Sequence, residues 1–278
     1  MKYEITIEGI KVYDKSQFNI AHIFECGQVF CFENVGEKYI SYPQNHYAEI
    51  EENKDFYLIK TKNVDYFVNY FDLDVNYTQI KEKLSDFSIM KKPLEYGYGI
   101  RILNQDLFET LISFIISANN NIKRIKVILN NIRKSLGEKL SDNVYSFPSY
   151  EKLKDQKEEF FVKCGAGYRA KYLVKVLQQI SPAILKEWDK LDTISLRNKL
   201  ISLAGVGPKV ADCILLFAYH RGESFPVDTW IAQMYNQHFS KTENREFMRN
   251  DLVNKFGALS GYAQQYIFYY TRFLAGKN

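Results

Sequence analysis

The stretch that decides the fold is LAGVGPKVAD, residues 203–212, which sets two glycines around one valine between two apolar helical runs. The first run ends one helix near Ala204, Gly205 to Gly207 form a tight hairpin, and Pro208 begins the next helix. Proline suits the first helical position because the N–H that it lacks would have no partner there. The segment therefore predicts two helices joined by a hairpin.

A hairpin of this kind leaves backbone N–H groups pointing outward at the N-terminus of the second helix. Hydrogen bonding and the helix dipole both favour a phosphate at such a position, and glycine lets a DNA backbone approach closely. The phosphate contacts predicted from the hairpin are Gly205, Gly207 and Val210. From the glycines alone, an ordinary turn between two packed helices explains the pattern equally well.

The spacing of apolar residues changes along the chain. Residues 1 to about 80 alternate in short runs separated by Gly, Asn and Pro, which is typical of antiparallel strands. From Leu107 onward apolar residues recur every three or four positions, as in amphipathic helices. We therefore predict an α+β protein, with an N-terminal antiparallel β-sheet domain over residues 1–85 and an all-α domain over residues 86–278.

Composition limits the class of protein. The 278 residues, 46% of them hydrophobic, can bury a substantial core. No run of about 18 uncharged apolar residues occurs and the N-terminus alternates, so we expect neither a membrane span nor a signal peptide. The net charge is +4, but residues 101–175 hold 14 Lys and Arg against 8 Asp and Glu. That local excess fits a phosphate-binding surface, and it fits a solvated helix face as well.

The four cysteines are scattered, without the paired spacing that holds zinc or an iron–sulfur cluster. No cysteine follows Cys213, which leaves no room for the C-terminal cluster of iron–sulfur glycosylases. We expect a protein of the reducing cytoplasm, associated with the nucleoid if the source is a prokaryote.

The hairpin and the later FPVDT, residues 225–229, together resemble the helix-hairpin-helix DNA glycosylase superfamily. In the bifunctional members of this family the hairpin lysine is the nucleophile and an aspartate follows it. The resemblance assigns these roles to Lys209 and Asp228. Taken alone, the lysine is more typical of a surface or phosphate-binding group, and the aspartate of a helix cap.

The chemistry explains why these two residue types are needed. An amine that breaks an N-glycosidic bond and then the DNA strand attacks C1′ and remains as a Schiff base, which requires it to be neutral. The positive end of the helix dipole, at the N-terminus, favours the neutral form of a lysine amine placed there. A carboxylate stabilises the oxocarbenium-like sugar that develops as the base leaves.

Four further segments are similar to the 8-oxoguanine branch of this superfamily: CGQVFCF at 26–32, SANNNIKRI at 117–125, GAGYRAKY at 165–172 and GYAQQYIF at 261–268. The resemblance implies a lesion pocket made by Gly27, Cys213, Pro226, Gln264 and Phe268. It also implies that the opposite cytosine and the vacated base stack are contacted by Asn119, Arg124, Tyr168 and Arg169.

Physical reasons support the pocket residues that the resemblance implies. 8-Oxoguanine carries a hydrogen on N7 where guanine has a lone pair, so the Gly27 carbonyl would accept from the lesion and repel guanine. Phe268 would stack on the flipped base, while Gln264, on the same helix face, would meet its Watson–Crick edge. Without the family, Gly27 is a strand-end turn, Asn119 to Asn121 are helix caps and Tyr168 is a core residue.

The sequence departs from better-known relatives at three positions. Trp230 stands where a phosphate-contacting histidine often lies, Ala204 replaces the usual proline before the first glycine, and Phe217 stands where a more flexible side chain is common. These changes put the phosphate contact and the detailed pocket shape in question.

The expected function is excision of 8-oxoguanine opposite cytosine in double-stranded DNA, followed by strand cleavage through β-elimination. The expected enzyme is a monomer with no required cofactor, no iron–sulfur cluster, no membrane association and no obligate protein partner. The family also implies a monovalent cation at the backbone carbonyls of Ile201, Leu203 and Val206. Two alternatives stay open: a helix-hairpin-helix glycosylase for another damaged base, and a non-catalytic DNA-binding protein that uses the hairpin only to hold phosphates.

Overall fold

A computed structural model describes residues 1–276 and begins with an antiparallel sheet of six strands in the order β1-β2-β6-β5-β4-β3. The central strands bury one face, since Ile10, Ile59 and Ile50 lie side by side across β2, β6 and β5 and are fully buried. Burial of one face of the sheet is what the period-two pattern of the sequence predicts, because every second residue of a strand points to the same face. The strands are β1 (Tyr3–Thr6), β2 (Gly9–Val12), β3 (Phe32–Val35), β4 (Lys38–Ser41), β5 (Ala48–Glu52) and β6 (Tyr57–Lys60).

Helices make up most of the remaining structure, together with a short hairpin of β7 (Lys139–Ser141) and β8 (Val144–Tyr145). The first eight helices are α1 (Ile20–Glu25), α2 (Val64–Tyr70), α3 (Tyr77–Ser85), α4 (Lys91–Tyr96), α5 (Leu107–Ser117), α6 (Ile122–Leu136), α7 (Tyr150–Leu153) and α8 (Glu158–Lys163). The other seven are α9 (Ala170–Gln179), α10 (Pro182–Trp188), α11 (Thr193–Ile201), α12 (Pro208–Phe217), α13 (Thr229–His238), α14 (Arg245–Phe256) and α15 (Ser260–Ala275). Three short 3₁₀ helices span Ser88–Met90, Gly167–Arg169 and Gly257–Leu259.

The α+β prediction is confirmed, but the strand pattern predicted up to about residue 80 is wrong after Lys60. Helices α2 and α3 occupy that region, and Phe67 and Tyr70 of α2 pack into the core of the sheet. The aromatic content of this stretch fits a strand as well as a helix, so packing against the sheet decides its structure. The domain boundary at residue 85 coincides with the end of α3 and stays a prediction.

Three apolar clusters form the interior, one behind the sheet, one among α5 to α12, and one among α3, α4 and α13 to α15. The C-terminal helix α15 reaches back to the N-terminal part of the chain, where the Gln265 side-chain amide donates to the Cys26 carbonyl at 2.7 Å. That contact sets α15 beside the loop that contains Gly27. Within residues 1–276, no helix is long and apolar enough to cross a membrane.

Candidate active site

The predicted helix–hairpin–helix is formed by α11, the turn around Gly205, and α12. Lys209 is the second residue of α12, directly after Pro208, and its side chain is half-buried. Its Nζ atom lies 5.6 Å from the centre of the Phe114 ring. The helix start therefore holds the amine at the edge of the helical core, where solvent still reaches it.

The two hairpin glycines serve different needs. Gly205 has a φ of +81°, and a Cβ at this position would lie 2.9 Å from the Tyr172 side chain. Gly207 is exposed, has a φ of −86°, and a Cβ there would meet no atom within 4 Å. The fold thus requires glycine at 205, whereas the bare backbone at 207 is available to whatever approaches from outside.

Asp228 caps the N-terminus of α13, where its Oδ1 accepts a hydrogen bond from the Ile231 backbone N–H at 2.9 Å. Burial raises the pKa of this carboxyl above its usual value, while the N–H of Ile231 and the charge of Lys209 act in the opposite direction. No ion pair within 4.0 Å joins Asp228 to Lys209 among the residues described. Asp228 is therefore a helix cap, as its residue type alone suggests, and is close enough to Lys209 to influence it.

Lys209 and Asp228 lie together in the walls of two neighbouring cavities. The aromatic cavity, of about 650 Å³, is further lined by Gly27, Phe30, Phe114, Phe268 and Arg272, among others. The hairpin cavity, of about 750 Å³, is further lined by Gly205, Gly207, Arg197, Arg245 and Arg249, among others. Trp230 lines both, so a bound molecule could extend from the hairpin past the lysine into the aromatic cavity.

Of the five predicted pocket residues, Gly27 and Phe268 line the aromatic cavity. Gly27 has a φ of +84°, and a Cβ there would lie 3.1 Å from the Phe268 ring, so the two residues pack directly. Cys213, Pro226 and Gln264 are buried and are not part of either wall. Burial raises the pKa of the Cys213 thiol to about 11, so this thiol is protonated at neutral pH.

The residues predicted to contact the opposite cytosine surround one loop. Asn119 is exposed with a φ of +49°, and Tyr168 is 50% exposed, so Tyr168 is not a core residue. Arg124 is also exposed on α6. Arg169, in contrast, is 3% exposed and donates to the carbonyls of Ala118 at 2.8 Å and Asn119 at 2.7 Å. In this conformation its guanidinium holds the loop instead of facing solvent, and its contact with cytosine stays a prediction.

An ion-pair cluster beside the hairpin ties α12 to α11 and α14. The Asp212 carboxylate on α12 accepts from Arg197 of α11 at 2.9 Å and from Arg249 of α14 at 3.1 Å. Arg197 also donates to Glu246 at 2.8 Å. Burial raises the pKa of Asp212 and the two guanidinium groups oppose that shift. The cluster fixes the orientation of the helix that carries Lys209.

The sequence pattern misses Arg272, which lines the aromatic cavity. A signal for it was present, because Arg272 follows Phe268 by four residues and so lies on the same face of α15. All four cysteines are buried free thiols. Within residues 1–276, no group of three His, Cys, Asp or Glu side chains is arranged to hold a metal ion.

Comparisons with known families agree with this geometry. Residues 11–111 match the family described as 8-oxoguanine DNA glycosylase, N-terminal domain, and residues 112–256 match the HhH-GPD superfamily base excision DNA repair proteins.

Individual relatives cover much of the chain. This chain is 35% identical over 215 residues to N-glycosylase/DNA lyase OGG1 of Arabidopsis thaliana. The matched residues cover 68% of this chain and 58% of that protein. This chain is also 33% identical over 212 residues to an N-glycosylase/DNA lyase of Saccharomyces cerevisiae, 69% of this chain and 55% of that protein. The chain thus spans less than two thirds of the length of these two relatives.

A solved structure matches over nearly the full length. Clostridium acetobutylicum 8-oxoguanine glycosylase/lyase, in complex with double-stranded DNA containing cytosine opposite 8-oxoguanine, superposes with a TM-score of 0.93 at 37% identity. The match covers 99% of both chains. The chain therefore belongs to the HhH-GPD superfamily of base excision DNA repair proteins and carries the N-terminal domain of the 8-oxoguanine DNA glycosylases.

Proposed function

We propose that this protein is a bifunctional DNA glycosylase that excises 8-oxoguanine opposite cytosine from double-stranded DNA and then cleaves the strand. One observation carries the proposal: Lys209 and Asp228 line a cavity that Gly27 and Phe268 close, and they do so without forming an ion pair. A cavity of about 650 Å³ has ample room for a flipped purine nucleotide. The relatives named for the same activity support it further.

The first chemical step forms a bond between the Nζ of Lys209 and C1′ of the flipped nucleotide. The bond from C1′ to the base nitrogen breaks, its electron pair leaves with the base, and the base takes up a proton. The Asp228 carboxylate stabilises positive charge on the sugar while the old bond is broken and the new bond is incomplete. The amine then loses a proton, and opening of the sugar ring gives the Schiff base.

The second step is β-elimination. Loss of a proton from C2′ of the Schiff base expels the 3′ phosphate and breaks the bond between C3′ and oxygen. Hydrolysis then releases Lys209 and the unsaturated sugar. No electrons are gained or lost overall, so the proposed chemistry consumes no redox cofactor.

Three finer points belong to the same proposal. A monovalent cation held by the carbonyls of Ile201, Leu203 and Val206 would stiffen the hairpin; the Leu203 carbonyl accepts from the Val206 N–H at 3.1 Å and retains a second lone pair for it. The protein acts on DNA without an obligate protein partner. Its place of action is the cytoplasm, where four buried free thiols stay reduced.

Borohydride trapping tests the proposal directly. The protein is incubated with a duplex that carries one 8-oxoguanine opposite cytosine, and borohydride reduces any Schiff base to a stable covalent adduct. We expect an adduct with the wild type and with Lys199→Gln, a matched change of an exposed lysine on α11, and none with Lys209→Gln.

Two results would contradict parts of the proposal. Trapping only on duplexes with other damaged bases would keep the lysine chemistry and overturn the substrate. Tight lesion binding with neither trapping nor base release would identify a non-catalytic DNA-binding protein.

A further inference from the structure

Arg272 lies one helical turn beyond Phe268 on α15 and is one of the residues that line the aromatic cavity. Its Nη2 atom donates to the Glu25 carbonyl at 2.6 Å, and its central carbon lies 5.7 Å from the centre of the Phe268 ring. These two contacts hold the side chain beside Gly27. Arg272 is therefore a positioned group and not a mobile surface cation.

The other terminal nitrogen of Arg272 has no acceptor among residues 1–276. Nη1 is buried and makes no hydrogen bond with the part of the chain that the structure describes. A buried guanidinium N–H without a partner is costly, and such a group calls for an explanation, commonly a missing water or ligand. Nη1 lies 3.4 Å from the position that a Cβ on Gly27 would occupy, so it is next to the predicted lesion-reading glycine.

Gln264, one turn before Phe268 and behind the cavity wall, also carries a buried polar atom without a partner among the described residues. Its Oε1 atom is buried and accepts no hydrogen bond from the described residues. Because Gln264, Phe268 and Arg272 are spaced by four residues, they follow one face of α15. An unpaired acceptor and an unpaired donor thus flank the aromatic ring along the helix.

8-Oxoguanine offers matching groups on opposite edges. Its Watson–Crick edge carries the N1–H and N2 amino donors, which suit the Gln264 oxygen. Its far edge carries O8, an acceptor that neighbours the N7–H. A guanidinium can only donate hydrogen bonds, so it pairs with O8 and with none of the lesion's donors. Guanine has a C8–H at this point, which offers no acceptor in place of O8.

We propose that Arg272 is a specificity-determining residue that donates a hydrogen bond from Nη1 to O8 of the flipped 8-oxoguanine. This inference rests on the proposed function and deepens it. In this proposal the Gly27 carbonyl accepts a hydrogen bond from N7–H, and Arg272 donates one to the oxygen on C8. The site then recognises two independent features of the lesion. A site that forms a hydrogen bond with a polar group of its substrate rejects an analogue without that group more strongly than an apolar pocket does.

Binding measurements on the uncleaving Lys209→Gln protein test the contact. Its dissociation constants are measured for duplexes with 8-oxoguanine, 8-thioguanine, guanine or a tetrahydrofuran abasic analogue opposite cytosine. 8-Thioguanine keeps the N7–H but replaces O8 with sulfur, a weaker acceptor. Adding Arg272→Met should weaken binding to the 8-oxoguanine duplex by about tenfold, the effect of losing a hydrogen bond to a charged donor. Binding to the 8-thioguanine duplex should weaken less than binding to the 8-oxoguanine duplex, and binding to the guanine and abasic duplexes should hardly change.

Controls separate this contact from a general structural role. Thr271→Val alters the neighbouring side chain, which lines a different cavity, and should leave all four constants unchanged. Arg272→Gln, whose amide can still donate to the Glu25 carbonyl, should reproduce the selective loss if Arg272→Met folds poorly.

Equal losses on 8-oxoguanine and 8-thioguanine, or a loss that extends to the abasic duplex, would overturn the contact with O8 while leaving the proposed substrate intact. Failure of the parent Lys209→Gln protein to prefer 8-oxoguanine over guanine would overturn the substrate, and the contact with it.

Discussion

Asp228 serves two purposes at once, as the cap of α13 and as a carboxylate facing Lys209. Capping needs only a side-chain oxygen, which asparagine also provides, whereas stabilising a cationic sugar needs the negative charge. Burial raises the pKa of Asp228, so keeping it ionised in the folded protein costs free energy. Under the proposed function, stability and catalysis therefore make opposite demands on this residue.

Asp228→Asn is expected to lower the rate of base excision by at least about 100-fold, the scale seen when one electrostatic contact to a transition state is lost. The acceptor for the Ile231 N–H remains, and the partly buried charge is gone. The melting temperature at neutral pH should therefore equal or exceed that of the wild type. Single-turnover kinetics and thermal unfolding check the two parts. A large drop in melting temperature would show that the carboxylate itself, not its hydrogen bond, holds α13.

The sign of the pH dependence follows from the same shift. The raised pKa means that the folded protein binds a proton at Asp228 more tightly than the unfolded chain does. Its ionised carboxylate therefore costs stability above the folded pKa, and this cost disappears as the pH falls through that value. Activity should change the opposite way, falling on acidification at a higher pH than an ordinary aspartate would give. A rate profile without this acid limb would contradict the role of Asp228.

At the scale of elements, the hairpin between α11 and α12 could be predicted because its residue types act locally. Proline at the first position of α12 and glycine in the turn restrict the backbone whatever the rest of the chain does. The pocket was less accessible to sequence reasoning. Gln264 lies on the expected face of α15, but how far it recedes behind the cavity wall depends on packing between α15 and the Gly27 loop.

The prediction of strands beyond Lys60 was wrong because contacts between distant parts of the chain also decide the structure there. In α2 the residues Tyr66, Phe67 and Val68 favour strands by type, and their burial against the sheet comes from partners distant in sequence. Period and propensity over seven residues cannot separate the two structures. Arg169 shows the same limit, because only the folded loop reveals that its guanidinium is bonded to the carbonyls of Ala118 and Asn119.

The two hairpin glycines give a matched pair of variants. Gly205→Ala should destabilise the protein, since the new Cβ would lie 2.9 Å from Tyr172 in a backbone conformation that favours glycine. Gly207→Ala should leave the melting temperature unchanged, because nothing in the protein occupies that space. It should nevertheless weaken binding to duplex DNA, lesion or not, by keeping a phosphate away from the hairpin.

Thermal unfolding and DNA titration of both variants test this division. If Gly207→Ala binds DNA as the wild type does, the hairpin is an ordinary turn and the phosphate contact lies elsewhere.

At the scale of the whole molecule, the buried Arg101 joins the segment before α5 to the loop between α2 and α3. Arg101 is fully buried, and its guanidinium donates to the carbonyls of Phe71 and Val75, both at 2.9 Å, and to that of Asp72. It also lies over the Tyr77 ring, 4.0 Å from its centre. Backbone carbonyls in a buried loop need donors, and here a single side chain supplies several.

Arg101→Met keeps most of the side-chain volume and removes every donor. Several buried carbonyls would then lack partners, at about 1–3 kcal/mol each, so we expect the free energy of unfolding to fall by roughly 3–5 kcal/mol. Arg124→Met, at an exposed site on α6, should change it by less than about 0.5 kcal/mol. Denaturant unfolding followed by far-ultraviolet circular dichroism measures both. Because Arg101 connects the loop after α2 to the segment before α5, its loss should lower the denaturant midpoint of the sheet and of the helices together. Two separate unfolding transitions in the wild type would show instead that the sheet and the helical core unfold independently.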